Sequence, residues 1–96
     1  MGLDKLRAEI DQIDNQIVYL LGERVKLVQR VGELKLNRRG IKDANREEQI
    51  LRRVTRMAEK QGVSPLLVER IFRLMFRYFI NQQRKICQEY ATAQSK

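Results

Sequence analysis

The sequence predicts an all-α protein of three helices, the first much the longest. Three observations carry that prediction. From Leu3 to Leu36 apolar residues recur at heptad spacing, with no proline to interrupt them. Two further segments, near 44–61 and 65–91, repeat apolar residues every three or four positions. The joints between them carry turn chemistry (Asn37-Arg38-Arg39-Gly40 and Gly62-Val63-Ser64-Pro65), and no segment alternates as a strand would.

The first helix is expected over about 3–37. Written in sevens, Leu3, Ile10, Ile17, Arg24 and Val31 share one position, and Leu6, Ile13, Leu20, Leu27 and Leu34 share the position three later. Nine of the ten are aliphatic, which makes a coiled-coil-like seam on a helix of roughly 50 Å. A compact chain of 96 residues has a radius of gyration near 13 Å, so the seam is expected to find its partner in a second copy. Asp4 suits the first turn of the helix dipole. Gly22 and Gly32 fall off the seam, either as tolerated surface glycines or as points where another backbone comes close.

Asp43 is a candidate N-cap for a second helix over 44–61, with Glu47 in its first turn. Ile50, Val54, Met57 and Ala58 form its apolar side, and Gly62 closes it. Ser64-Pro65 then starts the third helix, Ser as cap and Pro at the first helical position. Its apolar stripe is Val68, Phe72, Met75, Phe79, Ile86 and Tyr90, and residues 92–96, which lack a pattern, are expected to fray. The three helices form one domain over 1–96.

Composition narrows the function. A net charge of +8 points to anionic partners, either nucleic acid or small polyanions. With no histidine, His-based metal sites and His-dependent acid–base chemistry are excluded. The lone Cys87 cannot form an intrachain disulfide and reads as a buried inert thiol. The start, Met-Gly-Leu-Asp-Lys, has no apolar core of a signal peptide, and no stretch approaches 18 apolar residues. The expectation is a soluble cytoplasmic protein that contacts no membrane.

The chemistry is carried by polar residues where the period calls for apolar ones. Arg24 stands on the seam, where an isolated buried charge costs several kcal/mol, so it reaches water or meets an anion. Lys35 follows eleven residues later, three turns within about 20° of the same face. Arg46 and Glu47 open the second helix, and Gln83 interrupts the stripe of the third. Each has a plainer reading. Arg24 could pair with an acid such as Glu47, Lys35 could snorkel, Asp43 could simply cap, and Gln83 could fix helix register. Their coincidence on three helices favours one shared anion site.

The ordered residues resemble the all-helical chorismate mutases over about Leu3 to Tyr90. The resemblance is carried by Leu6-Arg7 with Ile10, Ile13-Asp14 and Ile17, then by Leu20-Leu21-Gly22-Glu23-Arg24. It continues with Val31-Gly32-Glu33-Leu34-Lys35, Asp43-Ala44-Asn45-Arg46-Glu47 and Gln82-Gln83. It implies an intertwined homodimer with shared sites. There Arg7 and Arg24 would grip carboxylates from two subunits, and Lys35 and Gln83 would donate to the ether oxygen. Arg46, Glu47 and Asp43 would complete the pocket, with Asp43 near the substrate hydroxyl. Phe79 departs from a familiar branch, in which a serine at that position contacts a substrate carboxylate; that contact must come from backbone groups or an arginine.

The implied reaction, chorismate to prephenate, is a unimolecular Claisen rearrangement that needs no cofactor, nucleophile, acid or base. It asks for a folded dianion and for stabilised charge on the breaking ether oxygen. Rival readings are an isochorismate pyruvate lyase, suggested also by Phe76, Tyr78, Phe79, Ile80 and Gln82-Gln83, and a mutase of 4-amino-4-deoxychorismate. Asp43 and Glu47, able to accept the hydroxyl of chorismate, favour the mutase. A basic helical nucleic-acid-binding dimer is disfavoured: Arg70, Arg73, Arg77, Arg84 and Lys85 read as spread around the third helix, and no groove-reading motif is visible.

Overall fold

The structure, a computed structural model, describes residues 2–35 and 43–94, with side chains other than those of residues 35, 86–88 and 90–94. Three helices follow in order, α1 (Gly2–Lys35), α2 (Ala44–Gln61) and α3 (Pro65–Gln94), and there is no strand among the described residues. The expected stop near Asn37, with its Arg38-Arg39-Gly40, lies outside the described residues. By contact the chain divides into two units, Met1–Glu33 and Leu34–Lys96.

α1, all but its last two residues in the first unit, carries an exposed heptad stripe. Leu3, Leu6, Ile10, Ile13, Ile17, Leu20, Leu27, Val31 and Leu34 are all exposed. Arg24 differs from its aliphatic neighbours in being half-buried, as are Glu23, Val25 and Val28 beside it. Lys26 pairs with Glu23 at 3.4 Å, an exposed i,i+3 contact of small energetic weight.

The second unit builds its own core. Asp43, in extended conformation, accepts the Arg46 backbone N–H at Oδ1 (3.0 Å), satisfying one of the orphan donors of α2. The other end closes on Gly62, whose φ of 72° a side chain would strain. There the Val63 N–H reaches the Ala58 carbonyl (2.9 Å) and the Gly62 N–H that of Glu59 (3.2 Å), the Schellman pattern. Ser64 Oγ accepts the Leu67 N–H at 3.3 Å, and Pro65 opens α3.

With only Gly62, Val63 and Ser64 between them, α2 and α3 pack as a helical hairpin. Ile50, Val54 and Phe76 are buried together, with Leu51, Val68 and Phe72 against them. Each such burial contributes about 1.5–3 kcal/mol. Phe72 and Phe76 meet edge to face at 6.3 Å.

Two details differ from the periodic reading. Met57, assigned to the apolar side of α2, is exposed, while Phe76, outside the assigned stripe of α3, is the buried aromatic. The helix also continues through Thr92, Ala93 and Gln94, where fraying was expected. Alanine and glutamine are good helix formers, so the backbone ladder extends there without an apolar period.

Candidate active site

The predicted site residues fall on both units. Arg7, exposed, and Arg24, half-buried, stand on α1, seventeen residues and so about 25 Å apart along its axis. Lys35 is the last described residue of α1, and its side chain lies outside the description. Asp43, Arg46 and Glu47 share the entry to α2. The first two are exposed, with the Asp43 carboxylate engaged in the cap, and Glu47 is half-buried. Phe79 and Gln83, one turn apart on α3, are both half-buried. Phe79 packs edge to face on Tyr78 at 5.6 Å, and Tyr78 accepts a hydrogen bond from Gln82 Nε2 at 3.0 Å.

Within the second unit, α2 and α3 enclose an open groove of about 290 Å³. Glu47 lines it, with Phe76 and Ile80 supplying the more buried, apolar surface and Asn81 an amide. Arg73, Arg77 and Arg84, all exposed, complete it. Phe79 and Gln83 are not among the described residues that line this groove.

The three arginines are the residues that the sequence reading missed as a group. Beside Lys85, about 100° round from Arg84, they look scattered around the helix. Helix arithmetic shows otherwise: four residues advance about 40° and eleven about 20°, so Arg73, Arg77 and Arg84 form one ridge. What the spacing could not supply is the facing element, and packing against α2 turns the ridge into one side of a groove.

The groove sets three guanidiniums against one carboxylate beside an apolar surface. Arg73 is held by Glu69 at 3.3 Å in an exposed i,i+4 pair. Such a surface suits a small organic anion with a hydrophobic body: guanidiniums grip carboxylates, and Glu47 can accept a hydroxyl. Among the described residues no group of three or more His, Cys, Asp or Glu side chains could hold a metal ion. No helix among them is long and apolar enough to cross a membrane.

Fold and groove define a class first: an all-helical domain with an arginine-lined groove. Comparison with known proteins narrows it. The family model described as chorismate mutase type II matches residues 6–84, and the chain belongs to that family. The chain is 32% identical over 91% of its length to the chorismate mutase of Methanocaldococcus jannaschii, of which it covers 89%. It is 33% identical over 88% of its length to a bifunctional chorismate mutase/prephenate dehydratase of Buchnera aphidicola, and 35% identical over 88% to one of Aquifex aeolicus. Of those two it covers 22% and 24%, so the chain spans about a quarter or less of the bifunctional relatives.

Proposed function

We propose that the chain converts chorismate to prephenate in sites built from two copies of itself. The observation that carries the activity is the family match over residues 6–84, joined to a relative named chorismate mutase that the chain covers almost end to end. The residues suit the reaction. Rearranging one dianion within a single molecule requires a fixed chair-like conformer and donors aimed at the ether oxygen. Arg7 and Arg24 serve as carboxylate clamps, and Lys35 with Gln83 as donors to the ether oxygen. Asp43 and Glu47 meet the substrate hydroxyl, with Arg46 beside them and Phe79 closing against the substrate. Capping does not disqualify Asp43, because an ionised carboxylate accepts at both oxygens.

The two-copy site is supported by the exposed stripe of α1, nine aliphatic residues that gain by being covered. It is supported also by the span between Arg7 and Arg24. A chorismate-sized ligand cannot bridge about 25 Å, so two arginines serving one ligand must come from different chains. The test is to incubate the protein separately with chorismate and with isochorismate and identify the products. Prephenate from the first is expected; salicylate and pyruvate from the second, with chorismate untouched, would replace this reading with a lyase.

A further inference from the structure

We infer that Arg84, assisted by Arg77, holds one carboxylate of the substrate in the α2–α3 groove. The inference rests on the chorismate reading above and names a grip that reading leaves open, since Phe79 offers no hydrogen-bond donor. The groove supplies donors one residue further on. Ile80 and Asn81 line it, Arg77 stands three residues before Ile80 and Arg84 four after. Along the axis these offsets are about 4.5 and 6 Å, so two guanidiniums flank a single point over Ile80.

Direction separates the two arginines. Side chains on a helix lean toward its N-terminus, so Arg84 leans over Ile80 and Asn81 while Arg77 leans away. Arg84 is therefore the direct partner and Arg77 the lesser one. Arg73, a further turn away and paired with Glu69 at 3.3 Å, contributes least. The apolar surface of Phe76 and Ile80 suits the carbon ring, and Glu47, in the same groove, repels a carboxylate but accepts a hydroxyl. That asymmetry orients the ring, with its carboxylate toward Arg84 and its hydroxyl toward Glu47.

The test uses the full chain and four variants, Arg84→Ala, Arg84→Lys, Arg77→Ala and the double Arg77→Ala/Arg84→Ala. Arg56→Ala is the charge-matched control, an exposed α2 position outside the groove. Steady-state kinetics on chorismate are paired with calorimetric binding of an unreactive bicyclic ether dicarboxylate and of its ring-carboxylate monomethyl ester. Arg84→Ala should raise KM about tenfold or more, as expected for a lost charge-assisted contact, with kcat falling less. Arg77→Ala should do so more weakly, Arg84→Lys should recover part, and Arg56→Ala should match wild type. The double variant should lose about tenfold of the wild-type preference for the dicarboxylate over its ester, what remains belonging to the arginine clamp from α1.

A double variant that keeps the wild-type preference, or a KM for Arg84→Ala within about twofold of wild type, overturns the inference. Failure of the underlying reading looks different, because the wild-type protein itself would then leave chorismate unchanged.

Discussion

α1 and the α2–α3 hairpin use the same kinds of residue on opposite terms. On α1, Leu6 is 57% exposed and Ile13 54%; on the hairpin, Ile50 is 7% exposed and Val54 8%. Both faces are periodic and aliphatic, and only the second is satisfied within its own unit. Most helix stability in proteins comes from packing of the apolar face and not from propensity. The hairpin therefore carries its own justification, two capped helices over a shared core. The heptad stripe of α1 has nine exposed aliphatic residues, and under the proposed assembly it gains its burial energy only when a second copy arrives. If so, stability and activity are coupled, because the surface that orders α1 is also the one that unites Arg7 of one chain with Arg24 of another.

The largest expected effect is loss of activity. Arg7→Ala and Arg24→Ala should each lower kcat/KM by roughly a hundredfold, the scale of one lost charge-assisted clamp at a buried site. Unfolded together and refolded, random pairing should make about half the dimers mixed. Each mixed dimer would hold one site lacking both arginines and one intact site, so about a quarter of all sites should regain wild-type turnover. Two dead homodimers whose mixture stays dead, with subunit exchange shown by mass spectrometry of tagged chains, would remove the shared site.

How far the sequence reached follows the same division. The limits of α2 and the start of α3 were legible because caps are local. Asp43, Gly62 and Ser64-Pro65 each act within a few residues. The long seam of α1 was legible because its period needs no partner to be seen. Less legible was whatever depends on the facing helix. Phe76 lies one turn from Phe72 on the side that meets Ile50 and Val54, yet a stripe drawn through Met75 and Phe79 passes beside it. Met57 meets the period of α2 and still stays exposed, since the edge of an apolar face is set by how wide its neighbour is. The arginine-lined groove needed both the angular arithmetic and the packing.

A smaller effect, in stability, separates the two regions directly. Phe76→Ala removes the buried aromatic of the hairpin and should cost about 3–5 kcal/mol. Leu20→Ala alters a residue that is 62% exposed within its own chain. On that exposure alone the loss should stay under about 1 kcal/mol. If a second copy covers the seam, it should reach about 2 kcal/mol or more per chain and, with the substitution present twice in each dimer, raise the dimer dissociation constant roughly a thousandfold. Sedimentation across a dilution series reads the second quantity, and chemical denaturation the first. A Leu20→Ala protein as stable and as associated as wild type would leave α1 without the proposed partner.

The smallest effect is decided by sign. Gly22 on α1 and Gly62 in the hairpin both meet nothing within 4 Å where a Cβ would be added. Gly62, at φ 72°, is there for backbone conformation, so Gly62→Ala should cost about 1 kcal/mol through strain alone. Gly22 lies in the interior of α1, outside the left-handed region. In a helix whose Gly22 faces only water, Gly22→Ala should stabilise by up to about 1 kcal/mol, because alanine loses less backbone entropy on folding. If the backbone of a second copy comes close at Gly22, the added methyl group must push it away, and the same substitution should destabilise the dimer instead. Thermal melts of Gly22→Ala at two protein concentrations distinguish the cases. A gain in Tm at both places Gly22 on an open face of the assembly, whereas a loss that deepens on dilution places it where the two copies meet.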